Sequence, residues 1–382
     1  MKTFWHIARV LLGLVFIFSG FVKGIDPWGL AFKFTDYFNA WGMESLNPLA
    51  FPLGIILSAS EFILGIVLVF NVFISFFSLI ALLFMGFFTI LTLIVAIQNP
   101  VTDCGCFGDA LILTNWQTFS KNIVFLALAL LIFLYRKKYK PLNLQLVPII
   151  LTGLTIFVYA YFVDYSYNHL PIIDFRPYKT GTNIIDGMQV PQDAPKDIYV
   201  NTFHYKNKKT GDIKEFNLDN YPWQDTLSWE FVSREDPVLI QKGYEAPIHN
   251  FFIETADGED IKDFFLYDEH YTFFYIAYNL ENADLSKMGA INELASYAMN
   301  KGMNFIGLTS SLPEDIDTFI SNNEIPFEIF NCDEITLKTM IRSNPGLMLV
   351  KRGKIMDKWH NNDIPSIKEF EKQQEYFKKI SK

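Results

Sequence analysis

The sequence predicts a multi-domain protein in which a bundle of five transmembrane helices is followed by a small β-rich connector and an α/β domain. Hydrophobic residues make up 51% and aromatic residues 16% of the chain, and the apolar residues are concentrated in the first 165 positions. That composition is too apolar for ordinary soluble domains and indicates a membrane domain. After Glu245, strand patterns alternate with helix patterns, which favours a sheet covered by helices.

Five apolar stretches are long enough to cross a bilayer, which takes about 20 residues. They run from Phe4 to Val22, Phe51 to Phe70, Phe73 to Ile97, Thr118 to Tyr135 and Leu146 to Phe162. A cleaved signal peptide is the alternative for the first stretch, but the stretch is long and no small-residue cleavage site follows it. We therefore expect it to be retained.

Lysine and arginine residues in the short loops predict the orientation. The segment from Arg136 to Lys140 carries four cations in five residues, whereas the loop from Asn99 to Gln117 carries none. We therefore expect the N-terminus and the basic segment to be cytoplasmic. The loops from Gly24 to Ala50 and from Asn99 to Gln117, and everything beyond Asp164, would then lie outside. The predicted location is the inner (plasma) membrane, with the C-terminal domain in the periplasm.

The predicted domains are residues 1–165, 166–243 and 244–382. In the connector we predict a β-hairpin with arms from Ile198 to Tyr205 and from Ile213 to Asn217. The predicted strands of the α/β domain are His249 to Glu254, Thr272 to Tyr278, Asn304 to Thr309, Phe327 to Phe330, Leu347 to Lys351 and Ile355 to Trp359. Its predicted helices are Leu285 to Lys301, Glu314 to Asn322, Ile335 to Arg342 and Ile364 to Lys379.

Cys104 and Cys106, two of the three cysteines, lie in the predicted outer loop with a single glycine between them. Cysteines at this spacing approach disulfide distance only in a bent backbone, and Gly105 permits the bend. The resulting small ring would be strained and easily reduced, as expected of a catalytic disulfide. Two alternatives stay open. They are unpaired thiols that pack the loop, and a metal site, which no third Cys or His nearby in sequence supports.

Glu61 lies near the middle of the second predicted span, where an ionisable side chain is costly. Arg9 and Lys23 on the first span are candidate partners. A structural role would be an ion pair that locks the helices together, or a protonated and hydrogen-bonded carboxyl. A functional role would be relay of the proton that accompanies thiol oxidation, or contact with the head group of a membrane quinone, the one candidate cofactor.

Cys332 follows a predicted strand and precedes a predicted helix, at the sheet edge where α/β proteins bind ligands. It is either a reactive thiol at that edge or a small buried hydrophobic residue, as lone cysteines more often are. The net charge of −9 falls mainly in the second half of the chain, where no basic run resembles a nucleic-acid footprint, and this argues against nucleic acid as a partner.

Three segments of the first 135 residues carry a resemblance to a known family. They are Arg9 to Asp26, Glu61 to Gly65, and Asp103 to Gly108, which reads Asp-Cys-Gly-Cys-Phe-Gly. These segments resemble DoxX and MauE-type membrane proteins. The resemblance implies a four-helix core with an outward-facing dithiol, distantly like the vitamin K epoxide reductase bundle, to which a fifth helix is added here. It also implies a redox role for Cys104 and Cys106.

A second resemblance covers Tyr244 to Lys382. Its clues are Ala246-Pro247 before a strand, the β-α-β-α order, and Ser343 to Val350 ahead of a turn at Arg352-Gly353. These features are similar to thioredoxin-like domains of the TlpA or peroxiredoxin type. Pro345, after Asn344, would match the cis-proline of the groove in that fold. Residues 278–284, where Cys-x-x-Cys would open a helix, contain no cysteine. The domain would keep a binding groove without a dithiol, to which Cys332 could add one thiol.

Together these features predict a thiol-disulfide redox protein of the cell envelope. Cys104 and Cys106 would exchange electrons with a periplasmic or membrane protein, and the thioredoxin-like domain would bind that partner or cap the dithiol loop. The alternative is a non-catalytic accessory subunit of an envelope or protein-export complex, whose thioredoxin-like domain binds partner or exported proteins. Under the redox hypothesis the protein is a membrane thiol-disulfide oxidoreductase. Under the accessory-subunit hypothesis it has no enzymatic activity of its own.

Overall fold

The structure is a computed structural model that describes residues 2–101, 103–138, 146–241 and 243–380. The helices of its membrane part are α1 (Lys2–Ile25), α2 (Pro27–Ala40), α3 (Ala50–Val69), α4 (Ile74–Gln98), α5 (Asn115–Tyr135) and α6 (Val147–Asn168). Among the described residues, all of these except α2 are long and apolar enough to cross a membrane, which confirms the five predicted spans. Tyr139 and Lys140 of the predicted basic segment lie outside the described residues.

Close contact between α1 and α3 positions the functional side chains of both helices. A Cβ atom on Gly20 would lie 2.6 Å from the Phe62 nitrogen, and one on Gly65 would lie 2.6 Å from the Gly13 oxygen. A larger side chain at either glycine would push the helices apart, as expected where small residues pack membrane helices. The middle of α3, which carries Glu61, is therefore held beside the C-terminal half of α1.

The segment predicted as a loop from Gly24 to Ala50 contains the helix α2. Pro27 begins this helix, since proline is favoured in the first helical turn. The Asp26 carboxylate caps it by accepting a hydrogen bond of 2.8 Å from the Gly29 N–H. A 3-10 helix, Glu44–Leu49, then leads into α3. The connection is therefore a second layer of helix rather than irregular chain.

Residues Asn183–Asn250 form a separate compact unit. Its elements are α7 (Ile184–Met188), β1 (Ile198–Val200), β2 (Phe203–Asn207), β3 (Ile213–Phe216), β4 (Trp229–Arg234) and β5 (Val238–Gln241). β2 pairs antiparallel with β3 and with β4, while β1 pairs antiparallel with β5. The predicted hairpin is confirmed in β2 and β3. Its first arm is shorter than predicted because the chain leaves the ladder at Asn201 and Thr202.

The C-terminal domain contains a mixed five-stranded sheet in the order β10-β9-β6-β7-β8. Its elements are α8 (Lys262–Leu266), β6 (Thr272–Ile276), α9 (Met288–Asn300), β7 (Asn304–Thr309), α10 (Pro313–Asn323), β8 (Ile329–Asn331), α11 (Glu334–Met340), β9 (Gly346–Lys351), β10 (Lys354–His360) and α12 (Ile367–Ile380). Strands β6, β7 and β8 run parallel to one another, and β9 is antiparallel to both of its neighbours, β6 and β10. Phe273, Phe305 and Phe370 lie in a core on one face of the sheet.

The strand predicted from His249 to Glu254 is wrong. Asn250 has a φ of 55°, which breaks an extended chain. Only Glu254 makes bridges, to Asp260 and to Asn331. The peptide between Asn344 and Pro345 is cis. The mixed sheet and this peptide are what the resemblance to thioredoxin-like domains implies, and the assignment itself stays a prediction.

Candidate functional site

The loop between α4 and α5 is tied at its base by hydrogen bonds between its two ends. Asn99 adopts a left-handed conformation with φ 49° and ends α4. The Asn115 side-chain amide donates to the Asn99 side-chain oxygen and to the Val101 carbonyl, both at 2.8 Å. Thr114 and Gln117 form a capping box that starts α5. These hydrogen bonds therefore fix the distance between the end of α4 and the start of α5, where the loop begins and ends.

The two cysteines lie on a tight turn inside this loop. Gly105 has a φ of 66°, a conformation that favours glycine. Its N–H donates to the Asp103 carboxylate at 2.9 Å, and its carbonyl accepts from the Gly108 N–H at 3.1 Å. The Cys104 and Cys106 sulfurs lie 2.9 Å apart. The bend that was predicted at Gly105 is present, and it places the two thiols in direct contact.

The thiols of this pair are not equivalent. The hydrogen bond between the sulfurs is the largest cause that raises the pKa of Cys104, and burial raises it further. The same hydrogen bond lowers the pKa of Cys106 to about 6, with help from the charges of Lys121 and Lys23 and against the effect of burial. These opposite directions are the ones expected if Cys104 donates the hydrogen bond and Cys106 accepts it as a thiolate. A thiolate is the form that attacks disulfides and other electrophiles.

Helix α2 supplies two side chains to the cysteine turn. Tyr37 lines the same cavity as both cysteines, and burial is the largest cause that raises its pKa, so its hydroxyl stays protonated. The Lys33 ammonium forms an ion pair of 3.0 Å with Asp103. A Cβ atom on Gly105 would lie only 2.9 Å from the Cγ of Lys33. Sequence analysis missed both residues because it assigned this segment to a loop.

Glu61 is buried and forms an ion pair with Lys23, at 2.7 Å between Nζ and Oε1. The Ser19 hydroxyl lies 2.9 Å from Glu61 and 2.8 Å from the carbonyl oxygen of Cys106, so it links the pair to the cysteine turn. Arg9 does not reach Glu61. It donates instead to the carbonyls of Leu68 and Val69 at the end of α3. Of the two candidate partners, Lys23 is therefore the one that neutralises Glu61.

An apolar cavity of about 490 Å³ opens beside the two sulfurs. Its lining comes from α1 to α5 and includes Phe34, Trp41, Phe84, Phe88, Phe125, Lys23, Glu61, Lys121 and both cysteines. Lys121 Nζ lies 4.2 Å from the centre of the Phe107 ring. Within the described part of the chain, no carboxylate lies within ion-pair distance of this lysine. An unpaired cation in a membrane helix is costly and marks a functional site more often than a structural one.

Cys332 and Asn344 are two of the residues predicted for the groove of the C-terminal domain. Cys332 is fully buried, and burial raises its pKa to about 12. The Asn344 amide donates to the Asn279 carbonyl at 2.8 Å, and its own carbonyl accepts from the Asp284 N–H at 2.8 Å. Asn344, next to Pro345, therefore holds residues 278–284 in place. This is the segment where Cys-x-x-Cys would occur in a thioredoxin-like domain, and it contains no cysteine.

The fold and the site define a multi-pass membrane protein with a dithiol in a loop between two of its spans. Residues 1–135 match the family described as methylamine utilisation protein MauE. The match and the five apolar helices support a MauE-type membrane protein. Residues 199–242 match a family described as a domain of unknown function, DUF8463. No curated protein matches the chain.

Proposed function

We propose that the protein is a membrane thiol-disulfide oxidoreductase in which Cys104 and Cys106 pass electrons between a partner protein and a membrane quinone. One observation carries this proposal. The dithiol and the unpaired cation Lys121 line the same apolar cavity, which is open to a ligand of the size of a quinone head group. We also propose the orientation given by the loop charges, with the cysteine turn and the C-terminal domain on the periplasmic side of the inner membrane.

The reaction is balanced as a two-electron exchange. In the oxidising direction the Cys104 thiol and the Cys106 thiolate lose two electrons and one proton, and a bond forms between the sulfurs. A quinone takes up these two electrons, that proton and one further proton from solvent to become the quinol. The Cys104–Cys106 disulfide is then reduced by a partner dithiol, which becomes a disulfide in turn. The quinone acts only as the electron acceptor in this reaction.

The surrounding side chains have separate parts in this reaction. The Cys106 thiolate is the nucleophile, stabilised by the hydrogen bond from Cys104 and by the charge of Lys121. The Tyr37 hydroxyl fixes the Cys104 sulfur. Glu61, with Lys23 and Ser19, forms a polar path from the cysteine turn into the membrane part and is the proposed proton relay.

The test uses the full chain in lipid nanodiscs with and without a short-chain ubiquinone. The reduced protein is mixed with the quinone, and the thiols are then tagged with an alkylating mass label and quantified one by one. We expect loss of free Cys104 and Cys106 together, with one quinol formed per protein, and no change in Cys332. The matched control is the Cys104→Ser, Cys106→Ser double variant, which should form no quinol. A pair that stays reduced in the presence of quinone would contradict the proposal.

The role of Glu61 has its own test. Glu61→Gln removes the titratable carboxyl and keeps the shape, so we expect slower oxidation of the cysteine pair at the same quinone concentration. The control is Arg9→Gln, which changes a buried cation that does not reach Glu61. Redox cycling at the wild-type rate in Glu61→Gln would reject the relay and leave the ion pair as a lock between helices.

A second candidate function is that of a non-catalytic accessory subunit of an envelope complex. The observation in its favour is that the only cysteine of the C-terminal domain, Cys332, is fully buried. Two results would favour it over the redox proposal. They are full complementation of a deletion strain by the Cys104→Ser, Cys106→Ser double variant, and a stoichiometric membrane complex that co-purifies with the protein.

A further inference from the structure

The C-terminal domain contacts α2 through Arg342, the residue that follows α11 by two positions. The Arg342 Nε lies 2.9 Å from both carboxylate oxygens of Asp26. Both side chains are largely buried, with 8% and 18% of their surfaces exposed. Asp26 is also the cap of α2. A charged pair that is shielded in this way is worth more than a surface ion pair, and the loss of one partner leaves a buried charge.

Two further contacts surround this ion pair. The Arg342 guanidinium carbon and the Lys338 ammonium lie 5.2 Å and 4.8 Å from the centre of the Phe32 ring, which is on the second turn of α2. The Arg342 guanidinium also lies 3.9 Å from Asp109 in the cysteine loop. The edge of the domain next to the cis-proline peptide is therefore occupied by the membrane part of the same chain.

The other end of α2 contacts the cysteine turn. Lys33 pairs with Asp103, and Tyr37 lines the same cavity as both cysteines. Asp26 and Tyr37 are eleven residues apart along one helix. A helix rises about 1.5 Å per residue and is stiff over this length, so a force on its capped end moves its other end.

We propose that Arg342 is a positioning residue for the dithiol, and that the C-terminal domain acts through α2 to hold Cys104 and Cys106 in their half-buried, paired state. This inference rests on the proposed function for its biological meaning, because it assigns the C-terminal domain to the redox site of its own chain. The edge around Arg342 is a docking surface for α2 and not a free groove for exported polypeptides.

The experiment is thiol alkylation of the full reduced chain in nanodiscs, read separately at Cys104, Cys106 and Cys332, with no quinone present. The variants are Arg342→Gln, Asp26→Asn, and the two combined. Asparagine keeps the capping oxygen of Asp26, so α2 keeps its start. We expect each single variant to raise the alkylation rate of Cys104 by about fivefold, the lower end of measured couplings between sites.

The double variant decides whether the two residues act through their contact. If they do, the combined change raises the Cys104 rate no further than either single change, because the same interaction is lost in each case. Rates that multiply, or a Cys104 rate that stays at the wild-type value in both single variants, would overturn the inference.

Two controls separate positioning from loss of fold. Cys332 lies in the core of the C-terminal domain, so its labelling reports unfolding. A rise in Cys332 labelling that equals the rise in Cys104 labelling would also overturn the inference. Arg352→Gln changes an exposed arginine on the β9–β10 turn of the same domain and should leave Cys104 unchanged. Since no quinone is present, failure here is distinct from failure of the proposed reaction.

Discussion

The chemical difference between Cys104 and Cys106 comes first from the contact between their sulfurs, which raises the pKa of Cys104 and lowers that of Cys106. The charge of Lys121 lowers the pKa of Cys106 further, whereas burial adds to the raised pKa of Cys104. A hydrogen bond to a thiolate and a nearby cation both favour the charged form. The order of attack follows from this difference. Cys106 reacts first with an electrophile, and Cys104 closes the sulfur–sulfur bond.

The thiolate character of Cys106 predicts a pH profile. A lowered pKa means that the reactive form is present above about pH 6 and is lost as the pH falls through that value. Cys104→Ala removes the donor, so the midpoint of Cys106 alkylation should rise toward the ordinary thiol pKa of about 8.5. A full shift from about 6 to about 8.5 would lower the thiolate fraction at pH 6.5, and with it the alkylation rate, roughly 75-fold. Cys332→Ala is the control, and a profile with an unchanged midpoint in Cys104→Ala would contradict the assignment.

The charge of Lys121 also lowers the pKa of Cys106. Lys121→Met removes the cation and keeps much of the side-chain length, so the Cys106 midpoint should move upward. Lys121→Arg keeps the charge and should leave the midpoint close to that of the wild type. Alkylation of Cys106 between pH 5 and pH 9 measures both. Equal midpoints in the methionine and arginine variants would exclude an electrostatic role for this residue.

Single residues could be predicted from the sequence where a local rule applies to them. Cys104, Cys106 and Glu61 were found because a Cys-Gly-Cys spacing and a carboxyl inside a span are visible in the sequence. Lys121 was visible in the same way, as a cation inside the fourth predicted span, but it was not singled out. Its proximity to Cys106 depends on how α5 packs against the loop, which no local pattern shows.

At the scale of elements, the cysteine turn depends on a glycine that is both left-handed and in contact with Lys33. Gly105→Ala would introduce the strain of a left-handed alanine, about 1–2 kcal/mol, and a clash with the Lys33 side chain. Gly42 has the same φ of 66° but nothing within 4 Å of an added Cβ. Gly42→Ala therefore isolates the backbone strain.

We expect both glycine variants to lower the melting temperature by similar small amounts. Diamide converts the cysteine pair to a disulfide, and only Gly105→Ala should change the rate of that reaction. The added methyl group at position 105 displaces Lys33 from Asp103, whereas the one at position 42 does not. The measurements are thermal unfolding in nanodiscs and mass-tag trapping after diamide. Equal oxidation rates in the two variants would show that the Lys33 contact has no part in shaping the turn.

The segment between α6 and the next unit is held by a buried charge cluster. The Asp174 carboxylate bonds to Arg176 at 2.8 Å and to Lys358 at 2.9 Å. Burial alone would raise the pKa of Asp174, but the two cations outweigh it and hold that pKa well below its ordinary range. Asp174 therefore stabilises the fold fully above about pH 4, and this contribution is lost only as the pH falls through the lowered pKa.

Asp174→Asn leaves two buried cations without their carboxylate. The free energy of unfolding should fall by about 3–5 kcal/mol, the usual cost of breaking a buried pair. Asp193→Asn is the control, because Asp193 is exposed. Thermal or denaturant unfolding of the two variants in parallel is the measurement. A melting temperature of Asp174→Asn equal to that of the control would mean that the cluster adds no stability.

Some helices and strands were predicted correctly from the sequence and others were not, and the difference has physical reasons. The five spans are defined by length and hydrophobicity, which a sequence shows directly. The helix α2 carries recognisable start signals, Asp26 and Pro27, but the segment was assigned to a loop because it lies between two predicted spans. The strand expected near His249 failed because one left-handed residue, Asn250, outweighs an extended pattern on either side of it.

At the scale of the whole molecule, the five candidate spans of the described residues predict that the segments before the first span and after the fifth lie on opposite sides of the membrane. This topology can be tested with single cysteines in a background of Cys104→Ser and Cys106→Ser. Thr210→Cys should react with a membrane-impermeant maleimide in intact cells, whereas Lys137→Cys should react only after the membrane is permeabilised. Both positions are exposed. The reverse pattern of labelling would invert the orientation and place the dithiol in the cytoplasm.

The ion pair between Asp26 and Arg342 has a consequence for the order in which the protein is made. The two residues are 316 positions apart, so Asp26 leaves the ribosome long before its partner exists. During that interval the Asp26 end of α2 lacks this contact. If Arg342 positions the dithiol as proposed, the cysteine turn reaches its final packing only after the C-terminal domain has folded, and a chain truncated before Arg342 would carry the turn without that support.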